Sequence, residues 1–546
     1  MSRLRGRFAV LAACLLFPAR ALPAQDSNGV TPARIVSAAR IGWSRWPDFG
    51  RYVDVLSRLY SADAPVWLNG TGPGPAGRSA IGELLAASEH GLDPRDYDAY
   101  TLDSIARVTE TTPLAATDRV RFDVLLSLGL VRYLDDLQRG RLHPRPLGNI
   151  PIQRPDLASS IAAAIQGDSV ARLVAASAPQ LGQYRKLQRM LHRYRQLAAD
   201  STLRPVPFRT TVRPGQPCAG LTALAHRLVA VGDLPVEGFP AEGDSIYQGA
   251  LVTAVRRFQQ RHGLDQDGVL GRATFAALNT PFSHRVREIE LALERLRWLP
   301  PIGRQPFIVV NIPQFELIAF DSSSETSPPA VNMRVIVGRA LQTRTPVMLE
   351  QMRYIEFRPY WNVPRSILVK EVVPALRRNP NYLQSNDMEM VGSGDQPAGD
   401  WPGAGAIERL LRGDLRVRQR PGPENSLGLI KFVFPNASNV YLHGTPHMQL
   451  FERTRRDFSH GCIRLEHPEA LAVWLLRDQP GWNLEQVQSA MNAERSSRLL
   501  LSHPVPVVIF YTTAVVRSDG SAWFYADIYG HDRELDEALR AAPTPP

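Results

Sequence analysis

The sequence predicts a multidomain α+β chain: an N-terminal helical scaffold, a small helical module, and a β-rich domain carrying a lid insertion. Two observations support this. Up to about residue 300, apolar residues recur at three- and four-residue spacing with Gly and Pro punctuation. Beyond residue 301 the period changes, and β-branched and aromatic runs bounded by Pro, Gly and Asn take over. A length of 546 residues, 44% hydrophobic and 21% charged, suits several globular cores.

At the N-terminus, Arg3, Arg5 and Arg7 precede an apolar stretch from Phe8 to Phe17 and then small residues at Ala19, Ala21 and Ala24. This reads as a secretory signal over 1–24, with export to the periplasm or cell envelope expected. The stretch "LAAC" ending at Cys14 offers a lipoprotein-type cleavage site as the alternative. No later run approaches the roughly 18–20 apolar residues of a membrane span, so no stable span is expected after signal removal. Removing residues 1–24 takes away four Arg and no acids, so the net charge of +10 falls to +6. With no block of like charges, nucleic acid is a poor partner, whereas a polyanionic envelope surface is compatible.

Residues 25–205 read as the helical scaffold, through segments such as "SAIGELLAASEHGLDPRDY" and "VRFDVLLSLGLVRYLDDLQRGRLHP". Residues 206–282 form the small module. In it, "ALVTAVRRFQQRHGLDQDGVLGRATFAALN" predicts a helix from Leu251 to His262, a turn at 263–268, and a second helix from near Gly271 to before Pro281. The amphipathic "VREIELALERLRWLP" gives a linker helix over 283–300. Strand-like runs then define a β-rich domain over 301–533 with a tail at 534–546. Inside it, a Pro-, Arg- and Gly-rich stretch over about 365–425, with the short helical "SILVKEVVPALRR", reads as a lid.

Chemistry concentrates at "DFSHGCIRLEHPEALAVWLL". Signal removal leaves two cysteines, Cys218 and Cys462, which an exported protein can join in a disulfide. Four of the 12 histidines, His443, His447, His460 and His467, bracket Cys462 within 25 residues. His443 and His447 have the spacing of a zinc-binding helix, but Pro446 and a strand pattern interrupt it, and no HExxH occurs. Nucleophilic catalysis fits better. It needs a thiol, a base and donors for an oxyanion, and a neighbouring imidazole is expected to lower the thiol pKa toward neutrality. His443 ends a strand, and 19 residues later the chain returns at Cys462. Gly461 leaves the backbone there uncrowded, and His460 is a second candidate base. Asp457 or a backbone carbonyl is available to orient the base. No metal, nucleotide or other cofactor is called for.

These residues resemble known families. "AVRRFQQRHGL" with "DGVLGRATFAALN" is similar to the three-helix peptidoglycan-binding module of bacterial wall enzymes. "VYLHGTP" followed by "SHGCIRL" resembles the L,D-transpeptidases, and "RPYWNVP", "RPGPENSLGLIKFVFPN", "APVWLNG" and "SEHGLDPRDY" are similar to their large scaffolded subgroup. The resemblance implies Cys462 as nucleophile and His443 as general base, Gly444 as the carbonyl orienting it, and His460 and Gly461 shaping the oxyanion region. It places Arg464, where much of the wider family carries Asn, in the substrate cleft with Tyr441, Trp361, Asn362 and Ser459. It further implies a peptidoglycan tetrapeptide donor and a stem-peptide acceptor, joined through a thioester. Hydrolysis or D-amino-acid exchange at the same thioester, and wall binding without catalysis, are the competing outcomes.

Overall fold

The computed structural model describes residues 29–70, 72–142, 155–207, 210–301, 305–324, 328–398, 403 and 405–541. The signal reading over 1–24 and Cys14 lie outside them. Among the described residues no helix is long and apolar enough to cross a membrane.

The scaffold is helical and is built around the helix Ala116–Arg139, whose residues from Phe122 to Leu137 are all buried. A buried Asp at mid-helix is tolerable only if its oxygens are satisfied. Asp123 meets this requirement by accepting from the backbone N–H groups of Val66 (3.0 Å) and Trp67 (2.8 Å) and from the Tyr60 hydroxyl (2.7 Å).

The small module has three helices, Leu221–Val231, Ala250–Arg261 and Arg272–Asn279, around its own core of Leu224, Leu228, Val255, Phe258 and Phe275. The C-terminal end of its basic helix faces inward, while Arg256 and Arg257 are exposed. Arg261 forms a buried ion pair with Asp233 and donates to the Ala522 carbonyl, while His262 stacks between Phe258 (3.8 Å) and Phe524 (5.8 Å). The partners Ala522 and Phe524 belong to a hairpin, Ala514–Val516 with Ala522–Phe524, that also enters the scaffold core.

The segment read as a linker is a buried structural axis. In the helix Phe282–Arg297, Ile289, Ala292, Leu293 and Leu296 join the scaffold core. Leu291 packs on Leu535 and Leu539 of the helix His531–Ala541. Arg287 to Asp536 (2.7 Å) and Arg295 to Asp532 pin the same pair of helices. The segment read as a tail from 534 therefore begins inside this helix.

The β-rich domain is a nine-stranded mixed sheet. In spatial order its strands are Asp457–Ser459, Pro329–Gly338, Ile463–Leu465, Leu442–His443, Ile430–Val433, Met348–Phe357, Ser497–Phe510, Phe307–Asn311 and Glu316–Phe320. Pro329–Gly338 also pairs with Glu316–Phe320, closing the sheet on itself. One face carries the core, with Phe432, Leu442, Ile463 and Leu465 among its residues.

The segment read as a lid is a small subdomain with its own core of Leu368, Val372, Leu376, Leu383, Met390, Leu410 and Val417. A three-stranded sheet, Trp361–Asn362, Arg416–Gln419 and Met388–Val391, runs through it. It starts at Trp361, four residues before the predicted insertion. The expected helix is broken by a π turn at Leu368–Val372, just ahead of Val373–Arg378. Pro374 supplies the reason: it donates no N–H, and its ring would clash with the carbonyl four residues back in a regular helix.

Candidate active site

Alternation along three adjacent strands sorts the residues. Ile430, Phe432, Leu442, Ile463 and Leu465 point into the core, so Lys431, Tyr441, His443, Cys462 and Arg464 share the other face. The register places Lys431 opposite His443 on one side and Arg464 opposite it on the other.

His443 is 4% exposed, and its Nδ1 lies 2.6 Å from the Gly444 carbonyl. A carbonyl only accepts, so Nδ1 carries the proton and Nε2 keeps a lone pair. Burial, reinforced by the nearby Arg464 and Lys431 charges, pushes the His443 pKa down to about 3. The ring is therefore a neutral base. Gly444 itself is held by its N–H to the Ile430 carbonyl (3.0 Å). Gly428 allows this close approach: it sits at φ +63°, and a Cβ there would lie 2.7 Å from the Thr445 nitrogen.

Cys462 is half-buried, with its sulfur 3.8 Å from the Asn439 carbonyl. Burial pushes its thiol above the ordinary value, against hydrogen bonds from Tyr441 and the charges of Lys431 and Arg464, which pull the other way. The expected lowering of the thiol pKa toward neutrality is thus reversed, because desolvation outweighs the cations. Among the described residues both cysteines are free: Cys218 is buried in the small module, and no disulfide joins it to the Cys462 sulfur.

The turn around the sulfur is held by groups the motif does not contain. Arg339 N–H (3.1 Å) and Thr343 Oγ1 (2.9 Å) both donate to the Ser459 carbonyl, and Thr345 Oγ1 donates to the Gly461 carbonyl (2.9 Å). The Tyr529 hydroxyl donates to the Gly338 carbonyl at 2.5 Å and accepts from the Thr345 N–H at 3.2 Å. Gly338 cannot carry a side chain, since a Cβ would lie 1.9 Å from the Thr343 carbonyl oxygen. The stretch "VGRALQTRTP" carries this support, but its value depends on contacts more than 100 residues away in sequence.

Several expected roles change. Ser459 is buried; its Oγ donates to the Cys462 carbonyl (2.5 Å) and accepts from the Gly461 N–H (3.1 Å), so it ties the turn together and does not line a cleft. The same bond occupies the Gly461 N–H, which is therefore not open to an oxyanion, although φ +118° at this position does require glycine. His460 turns away to the lid, its Nε2 2.7 Å from Glu371 Oε1 on the π turn. Asp457 is taken up by Arg455 (2.6 Å) and the Ala340 N–H (3.3 Å), so the Gly444 carbonyl is what orients His443. Trp361 and Asn362 sit in the lid sheet, Trp361 packing on the lid core. Tyr441 packs edge-on to His443 at 5.7 Å under the Lys431 ammonium (4.4 Å), and its own hydroxyl is directed at the thiol. Arg464 stands beside Cys462, its Nε buried without a hydrogen-bond partner.

The closed mixed sheet thus presents a thiol and a carbonyl-anchored imidazole on one face. Residues 305–509 match the family model of the L,D-transpeptidase catalytic domain, residues 54–191 that of a scaffold domain, and residues 219–278 that described as "Putative peptidoglycan binding domain". The chain carries an L,D-transpeptidase catalytic domain together with a peptidoglycan-binding domain. It is 30% identical over 260 residues to a Haemophilus influenzae protein named "Putative L,D-transpeptidase", covering 47% of this chain and 50% of that one. The match thus spans about half the length of that relative. A solved Clostridium acetobutylicum structure of a fused Zn-dependent amidase/peptidase/peptidoglycan-binding protein covers 56% of this chain and 100% of its own, at 12% identity and a TM-score of 0.16. A likeness that weak carries no argument.

Proposed function

We propose that the protein cross-links peptidoglycan stem peptides in the bacterial envelope through a thioester on Cys462, after export by an N-terminal signal. The observation that carries this is the His443 ring, buried and neutral, with Nδ1 fixed on the Gly444 carbonyl and Nε2 left to take a proton on the face that bears the sulfur. Because thiol and imidazole both start neutral, proton transfer accompanies attack and does not precede it. Cys462 Sγ bonds to the carbonyl carbon of the L-centre next to the terminal D-Ala. The thiol proton passes to His443, the C–N bond breaks, and His443 returns the proton to the departing amine. An amine of a second stem peptide then attacks the thioester, and Cys462 recovers its proton through His443. The family resemblance implies meso-diaminopimelate on both sides of the new bond.

Arg464 lies on the same face as the sulfur and is suited to a peptide carboxylate. Tyr441 and Lys431 complete the wall beside His443. The test is incubation of purified protein with disaccharide tetrapeptide, with the muropeptides identified by mass. The expected products are a cross-linked dimer and free D-Ala. Tripeptide alone would make the protein a carboxypeptidase, and incorporation of added D-amino acid would make it an exchange enzyme. Unchanged tetrapeptide would leave only wall binding.

A further inference from the structure

Two arginines, Arg339 and Arg464, flank the nucleophile turn, and neither has a carboxylate partner among the described residues. Arg464 follows Cys462 by two residues, and both alternate with the fully buried Ile463 and Leu465, so their side chains leave the same face. Arg339 directly follows the adjoining strand Pro329–Gly338: Ile336, three residues before it, pairs with Arg464, and the Arg339 N–H is bonded to the Ser459 carbonyl within the nucleophile turn. The Arg339 side chain is exposed, and its charge acts on Arg464. Several deeply buried guanidiniums elsewhere are matched by carboxylates, as in Arg261 with Asp233, Arg295 with Asp532 and Arg297 with Glu294, and others, Arg227 and Arg456, by backbone carbonyls. Among the described residues neither Arg339 nor Arg464 has such a partner, and Arg464 Nε is buried and unbonded. A like-charged pair with an unsatisfied donor costs free energy in the empty enzyme, and an anion recovers it.

The chemistry at the sulfur sets which anion this is, so its identity rests on the cross-linking reaction proposed above. In the donor, the carboxylate of the terminal residue is three bonds from the scissile carbonyl carbon, roughly 4 Å at most. Arg464 Cα is roughly 7 Å along the strand from Cys462 Cα, within reach of a long side chain aimed at that carboxylate. The leaving group is an amine whose own carbon bears a carboxylate. The D-centre of a diamino-acid acceptor has the same unit, an amine and a carboxylate on one carbon. We propose that Arg339 and Arg464 form one α-carboxylate subsite that holds the leaving D-amino acid during acylation and then the acceptor's D-centre during aminolysis. The bonds balance as before: C–N is broken and C–S formed, then C–S broken and C–N formed, with the carboxylate in the same place each time. Water lacks this handle, so the subsite favours transfer over hydrolysis.

The test compares tetrapeptide ending in D-Ala with the same peptide ending in D-alaninamide, following thioester formation by intact mass. Thermal midpoints confirm that each variant is folded. Wild type is expected to prefer the acid by about 10- to 100-fold in kcat/KM. Arg339→Gln should lose most of that preference by slowing far more on the acid than on the amide, and should release more tripeptide by hydrolysis. Arg339→Lys, which keeps the charge but not the fork, should fall between them. The full preference surviving in Arg339→Gln, or none in wild type, overturns the subsite while the thioester itself stands. No thioester from either peptide in wild type overturns the proposed reaction instead.

Discussion

Burial of His443 sets the electrostatics of the site. Its neutral form persists down to about pH 3, and the Cys462 thiol stays protonated past its ordinary range. Acylation kcat/KM is therefore expected to be flat across pH 5 to 8 as far as these two groups govern it. A limb near pH 6.5 that disappears in a His443 variant would contradict this. His443→Ala should slow acylation by about 10²- to 10⁴-fold, as loss of a positioned base does. His460→Ala should cost far less, since that ring is engaged with Glu371. Both outcomes are read from the rate of thioester formation; the reverse order would transfer the base role to His460. Much of this centre was legible in the sequence, because a thiol, an imidazole and a glycine carbonyl are named by their motif. Ser459 was not: a small hydroxyl reads equally as substrate ligand or turn clamp, and only its bonds to the Gly461 N–H and Cys462 carbonyl decide. The perturbed thiol was hidden for a related reason, since desolvation depends on what the fold packs around the sulfur.

At the scale of elements, two loops govern the nucleophile turn. The loop after Gly338 braces it from below, and Gly338→Ala should displace Thr343 and with it the Ser459 carbonyl. Activity is expected to fall at least tenfold, because misplacement of about 1 Å costs up to 10²-fold. Retention of full acylation would contradict the bracing role. The lid meets the turn through Glu371 and His460, a partly exposed pair. Such pairs contribute about 0–1 kcal/mol, so Glu371→Ala should leave the thermal midpoint nearly unchanged while altering tetrapeptide kcat/KM a few-fold. A large stability loss would make Glu371 a structural residue. The inserted subdomain was readable from its Pro- and Gly-rich composition. Its core was not, since strands of two and four residues give too few alternations to register. The π turn was likewise invisible, although Pro374 marked the place.

Across the whole molecule, the C-terminal hairpin and helix tie scaffold, wall module and catalytic sheet together. The hairpin's Phe524 joins the scaffold core and also stacks on His262 of the module, while Thr454 of the catalytic domain bonds Asp265. The wall module is thereby anchored through its own "RRFQQRHG" helix, and any glycan contact is left to its other faces. Asp233→Ala strands the buried Arg261 charge, and breaking such a pair costs about 3–5 kcal/mol. A thermal midpoint unchanged in that variant would contradict the anchoring.

The buried histidines add a pH dependence on the same scale. His90 is pushed down to about 4 by burial and then by the Arg297 charge, and burial holds His262 well below its usual value. Between pH 6.5 and about 4 the unfolded chain binds protons at these positions that the folded chain refuses, so their contribution to stability is complete above 6.5 and lost as pH falls. His262→Gln should therefore flatten the decline of the thermal midpoint over that window; an unchanged slope would remove His262 from the account.

The central claim is that Cys462 carries the acyl group with His443 as its base. Intact mass spectrometry of the protein after brief exposure to tetrapeptide tests it most directly. The predicted result is a tripeptide adduct localised to Cys462 with D-Ala released, absent in Cys462→Ser and strongly delayed in His443→Ala. Product formation by the Cys462→Ser protein, or an adduct forming at the wild-type rate without His443, would contradict it.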